Sequence, residues 1–132
     1  MTSWVVCDSG ILLATVLPET YSTQALALLH QWEQKDIRLA APALLRYEVV
    51  SVIRKSVYRN ILPVDDAVQK RDILLAQPVR IYLDDTLLRR AYDLATQYNL
   101  PATYDAQYLA VAERLECELW TADERLYNAL RP

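Results

Sequence analysis

A three-layer α/β/α domain on a parallel sheet of four to five strands is predicted by three features of this 132-residue chain. Four short apolar runs of strand length punctuate it: Trp4 to Cys7, Ile37 to Ala41, Val79 to Leu83 and Glu118 to Ala122. Helical periodicity of a dozen residues or more separates each run from the next, which rules out hairpins and leaves parallel strands joined by crossovers. Only one glycine occurs, which favours helices with short connections over low-complexity or disordered sequence. One domain over residues 1–132 is expected, since the length suffices for one core and not for two.

The elements follow in order. Trp4 to Cys7 is apolar and mainly β-branched and aromatic, the mark of a strand buried on both faces, and it ends at Asp8. Ile11 to Leu17 and Thr20 to Gln34 turn helical, with Pro18 as the break between them. Ile37 to Ala41 is a second strand stopped by Pro42. A long helix over Ala43 to Tyr58 follows, its apolar stripe made by Leu45, Val49, Val52, Ile53 and Val57. Pro63 opens a helix near Val64 to Leu75. Val79 to Leu83 is the third strand, Asp85 to Tyr98 and Ala102 to Leu115 are helices, Glu118 to Ala122 is the fourth strand, and a helix over Asp123 to Leu130 closes the chain. Asp105 shares a helix face with Tyr108, Leu109 and Ala112 and is expected to point toward the core.

Several function classes drop out. A glycine-rich phosphate loop needs several glycines in one turn, so a nucleotide cofactor held that way is excluded. No apolar run is long enough to span a bilayer, and MTSWVVCDSG lacks the basic start and cleavage site of a secretory signal; a cytoplasmic protein without membrane contact is expected. Cys7 and Cys117 lie in apolar stretches as small core residues, and with the lone His30, a helix-face residue, they cannot complete a zinc site. A net charge of -3 argues against a general nucleic-acid binder while leaving room for a local basic rim.

In an open parallel sheet the ligand site lies beyond the carboxyl ends of the strands. Asp8 and Asp123 stand at two such ends, Asp105 begins a helix that feeds the fourth strand, and Glu48 lies at the margin of its helix's apolar stripe. Three have a plainer explanation, Asp123 as a helix N-cap, Asp105 as a partner of its helix dipole and Glu48 as a solvated residue, while Asp8, directly after a fully apolar strand, is harder to dismiss. Their convergence on one edge favours a shared role. Two carboxylates ~4–6 Å apart repel by on the order of 3–4 kcal/mol, so such a group needs protons or a cation. Oxygen donors without thiolate or imidazole suit Mg²⁺ or Mn²⁺.

The segments VVCDSGILLA, PALLRYEVVSVIRK and YDAQYLAVAERLECELWTADERL together resemble the PIN-domain ribonucleases, and among them the VapC-type toxins of toxin–antitoxin pairs. An Asp-Ala helix start followed by a Thr-x-Asp strand end is the most specific part. Carried over by position, the family's acidic site falls on Asp8, Glu48, Asp105 and Asp123, with Ser9 and Thr121 as supporting hydroxyls. Gly10 departs from the pattern, standing where many relatives carry a small hydroxyl or amide residue. The resemblance implies a PIN-like fold and a metal-dependent endoribonuclease. Asp8 and Asp105 would be direct metal ligands, with Glu48 and Asp123 holding water or a second ion. It also implies a homodimer and a cognate antitoxin. On the Glu48 helix, Arg54, Lys55 and Arg59 offer a strip that could guide RNA phosphates. A phosphoacceptor receiver domain shares the topology but needs an acidic pair after the first strand and a late lysine, whereas Asp8 precedes Ser9-Gly10 and the last lysine is Lys70. A non-catalytic PIN-fold module that binds RNA or a partner is the remaining alternative.

Overall fold

The computed structural model describes residues 3–131. Its elements are β1 (Ser3–Cys7), α1 (Ser9–Ala14), α2 (Ser22–Gln34), β2 (Ile37–Pro42), α3 (Leu44–Tyr58), α4 (Val64–Ala76), β3 (Val79–Tyr82), α5 (Asp85–Gln97), α6 (Tyr104–Leu115), β4 (Leu119–Trp120) and α7 (Glu124–Leu130). All strand pairs are parallel, in the order β3-β2-β1-β4. The sheet thus has four strands among the described residues, within the expected range.

Burial follows that order. Val5, Val6 and Cys7 of β1 and Leu39, Ala40 and Ala41 of β2 are all buried, as central strands covered on both faces must be. The outer strands β3 and β4 keep Arg80 and Trp120 exposed. Right-handed crossovers from β1 to β2 to β3 place α1 to α4 on one face, and the return from β3 to β4 places α5 and α6 on the other. The strand order therefore reverses between β1 and β4, and the crevice beyond their carboxyl ends is where such sheets bind ligands.

Local chemistry sets the boundaries. Helix α1 starts at Ser9, earlier than the expected Ile11, because the Asp8 carboxylate accepts the Ile11 N–H at 3.2 Å and caps it. Helix α7 is capped by Asp123, which accepts from the Arg125 and Leu126 N–H groups. With one glycine available, the left-handed residues that end helices are Asp36, Asn60, Asn99 and Glu116, all at φ above 50°. Asn and Asp tolerate that region; Glu116 carries the full Cβ cost. Glu116→Gly is expected to stabilise the protein by about 0.5–1 kcal/mol, seen as a higher urea midpoint at unchanged slope.

Helices α5 and α6 are clipped together by two exposed bidentate pairs, Arg114 to Asp84 at 2.6 and 3.1 Å and Arg90 to Glu113 at 2.6 and 2.9 Å. The Arg114 guanidinium, helped by the Leu87 N–H, holds the Asp84 carboxyl down to about 2. This clip fixes the helix that carries Asp105. Cys7 is buried and Cys117 packs against the core as a half-buried residue, as expected of small apolar side chains.

Candidate active site

The four acids picked out at the strand and helix ends line one open cavity of about 490 Å³ at the carboxyl edge of the sheet, together with Ser9, Gly10 and Tyr108. Asp8 leaves the end of β1 and is 7% exposed, making it the most enclosed of the four. Both of its oxygens are engaged: Oδ1 accepts the Ile11 N–H and Oδ2 accepts the Thr121 hydroxyl. Thr121 Oγ1 in turn accepts the Asp123 N–H at 3.0 Å. One hydroxyl therefore couples the acid after β1 to the acid after β4, across the switch point. A Cβ on Gly10 would lie 3.3 Å from Asp8 Oδ1, so a side chain here would press on that carboxylate.

Glu48 projects from α3, half-buried. Its Oε1 accepts the Tyr108 hydroxyl, delivered from α6 on the opposite face of the sheet. Burial raises the Glu48 pKa; the Tyr108 and Ser9 hydroxyls act against the rise, and the Asp105 and Asp8 charges add to it. Asp8 is raised chiefly by burial, with the Thr121, Ile11 and Ala122 donors opposing and the Asp105 charge adding. Asp105 is raised first by the desolvation of its carboxyl against the cavity wall, although the residue as a whole is exposed, and then by the Asp123 charge, with Arg125 opposing. These carboxylates feel one another.

The expectation that Asp105 points into the core is corrected. Tyr108 and Ala112 on its face are buried, but Asp105 is exposed at the mouth of the cavity. It lies in the first turn of α6, which rises past the sheet edge, so the shared face carries it over the strands' ends and not beneath them. Ser9 and Thr121 stand against Glu48 and Asp8. Arg54, Lys55 and Arg59 are exposed on α3 and at its end, outside the cavity lining.

Some residues at the site escaped the sequence reading. Tyr108 reads as part of the core stripe; the chain has nine tyrosines and no phenylalanine, so a tyrosine on a core face carries little signal. Glu19, Glu124 and Arg125 also line the cavity, from a loop and the first turn of a seven-residue helix where no periodicity marks them.

The donor set is carboxylate and hydroxyl oxygen, with no histidine or thiolate in the lining. Among the described residues no three His, Cys, Asp or Glu side chains are grouped tightly enough to enclose an ion on their own. The oxygen donor set fits Mg²⁺ or Mn²⁺, which is held through one or two carboxylates and completes its shell with water and substrate oxygens.

A family model described as the PIN domain matches residues 5–131. Ribonuclease VapC9 of Mycobacterium tuberculosis is 32% identical over 122 residues, covering 92% of this chain and 87% of that protein. The crystal structure of VapC20 from Mycobacterium tuberculosis, described as a Sarcin-Ricin loop cleaving toxin, superposes with a TM-score of 0.72 at 15% identity, over 97% of this chain and 96% of that one. VapBC2 from Rickettsia felis, bound to a DNA fragment from their promoter, superposes with a TM-score of 0.71 at 14% identity, over 96% and 93% of the two chains.

Proposed function

The chain belongs to the PIN-domain family, and on that premise we propose that it is a Mg²⁺- or Mn²⁺-dependent endoribonuclease, the toxin of a type II toxin–antitoxin pair acting in the cytoplasm. The observation that carries this reading is the convergence of Asp8, Glu48, Asp105 and Asp123 on one open cavity beside the switch point of the sheet. The ribonuclease relatives support the substrate class.

Asp8 and Asp105 would hold the ion, with Glu48 and Asp123 facing a second ion or ordered water. A dication bound there supplies positive charge to the scissile phosphate and acidifies water. The chain's own part is placement. Thr121 and the Ile11 N–H hold Asp8 in one orientation. Tyr108 holds Glu48 through Oε1 and Ser9 stands against the same carboxylate, which faces the cavity where it can accept a hydrogen bond from the attacking water. In-line attack then leaves a 5′-phosphate and a 3′-hydroxyl. His30, the only histidine, is exposed on α2 and outside the cavity, so no imidazole base takes part.

RNA needs cations on this acidic surface. Lys55 and Arg59 lie seven and eleven residues beyond Glu48 on nearly the same helical face, roughly 10 and 16 Å along the axis, with Arg54 beside them. Replacing Lys55 and Arg59 together by Ala is expected to weaken RNA binding severalfold. It should also flatten the log–log salt slope by about 1.4 if each side chain neutralises one phosphate of a single strand. An unchanged slope removes the strip. Large exposed side chains on α2 and α3, Leu26, Tyr47 and Tyr58, leave apolar surface for an antitoxin or a second copy in a homodimer. Among the described residues no helix is long and apolar enough to cross a membrane. A non-catalytic module of this fold would have no use for the full acidic set.

The test is incubation of purified protein with structured RNAs and Mg²⁺ or Mn²⁺, with and without chelator. Products with 5′-phosphate ends that vanish under chelator are expected. Equal cleavage in chelator would contradict the reading.

A further inference from the structure

Next to the acidic cavity, and sharing Ala122, Asp123 and Glu124 with it, is a second pocket of about 280 Å³. Its floor is apolar, with Ile11 and Ala25 buried, and its sides carry Tyr21, Trp120, Tyr127 and the exposed amide of Gln24. Trp120 is braced edge-on by Trp32, ring centroids 6.0 Å apart and planes at 72°. The Tyr21 hydroxyl donates to Glu124 Oε1 at 3.1 Å, tying the start of α2 to the start of α7 at the rim that the two cavities share. Tyr21, Gln24, Trp120 and Tyr127 have no role in the chemistry proposed above.

We propose that this aromatic-walled pocket between α2 and α7 seats one nucleobase of the RNA strand, a nucleotide step from the phosphate held at the acids. The inference rests on the nuclease reading, since it is the neighbouring acidic cavity that fixes where a phosphate lies. Three features favour a base over other occupants. A strand with one phosphate at the acids must place an adjoining base close by, and the two cavities adjoin through a shared wall. A base is uncharged, so the rim carboxylates of Asp123 and Glu124 do not repel it, and exocyclic amino groups can donate to them. Aromatic faces stack on any base, while the Gln24 amide, with donors and an acceptor, can read an edge. An amphipathic helix from a protein partner needs a row of anchor sites along a groove, and this pocket is a single compartment.

The probes are the four 5′-nucleoside monophosphates and ribose 5-phosphate, titrated in Mg²⁺ and followed by chemical-shift changes; none contains a bond for an endoribonuclease to cut. At least one nucleotide is expected to bind the wild-type protein about tenfold or more tightly than ribose 5-phosphate. Tyr127→Ala should erase that advantage and leave ribose 5-phosphate affinity unchanged. Gln24→Ala should change the ranking among the four bases. Both side chains are exposed, so each variant is expected to fold, which thermal unfolding checks. Equal affinity for nucleotides and ribose 5-phosphate would overturn the assignment and give the pocket to an apolar protein side chain. So would a loss in Tyr127→Ala that falls equally on all five probes. RNA cleavage by the same preparation separates the two readings. Cleavage with base-blind binding sinks the pocket alone. Base-dependent binding without cleavage sinks the nuclease and keeps the pocket.

Discussion

Asp8→Asn is expected to lower RNA cleavage about a thousandfold or more while the protein stays folded. On the proposed reading Asp8 holds the ion, and its removal forfeits several kcal/mol of charge stabilisation at the phosphate, where each 1.36 kcal/mol is tenfold in rate. The fold survives because Asn is as good an N-cap as Asp, so the Ile11 N–H keeps its acceptor, and the Thr121 hydroxyl can turn to accept from the new amide. The stability change has a definite sign. Burial and the Asp105 charge raise the Asp8 pKa, so the folded state holds this proton more tightly than the unfolded chain does. Stability from this group is present below the ordinary carboxylate value and is lost as pH rises through the raised one. At neutral pH without divalent ions the wild type bears that penalty and Asp8→Asn does not. The variant should therefore unfold at equal or higher urea concentration at pH 7, and its stability should vary less between pH 4 and 7. Cleavage within tenfold of wild type would remove Asp8 from the site.

Tyr108 separates packing from placement. It is 1% exposed, the largest fully buried side chain, and its hydroxyl reaches Glu48 across the sheet edge. Tyr108→Ala is expected to cost about 3–5 kcal/mol, a large part of a typical domain stability of ~5–15 kcal/mol, and to leave little folded protein at 37 °C. Tyr108→Phe keeps the ring and deletes one donor. Cleavage should fall about 10–100-fold, as when an outer partner of a metal-site ligand is lost. The Tyr108 hydroxyl acts to lower the Glu48 pKa against burial, so its removal lets that pKa rise further. The acidic limb of the pH–rate profile should then move to higher pH in Tyr108→Phe. A proportional loss at every pH would mean that the hydroxyl does not act through Glu48.

The acids after the strands were legible because a doubly covered parallel strand is a continuous apolar run, and a carboxylate that ends it stands out, as Asp8 does after Trp4–Cys7. Helices α3 and α6 were legible from their stripes, with Leu45, Val49 and Ile53 buried in one and Tyr108 and Ala112 in the other, where Leu109 is half-buried. A helical wheel gives a direction and no depth, which is why Asp105 shares its direction with buried neighbours yet stands exposed in the first turn. Strand length was overread at Glu118 to Ala122: only Leu119 and Trp120 pair with β1, since Thr121 already turns its hydroxyl to Asp8. The aromatic pocket joins residues around position 21 to residues around position 124, a closeness that exists only once β4 lies beside β1.

Thermal unfolding across a titration of Mn²⁺, for wild type and Asp8→Asn side by side, addresses most directly whether the clustered acids form one cation site. A dication that binds only the folded state stabilises it by about 2.7 kcal/mol at a hundred times its dissociation constant. The wild-type midpoint should climb with Mn²⁺ and should rise far less, or not at all, in the variant. Equal rises in both proteins, or no rise in either, would contradict the account.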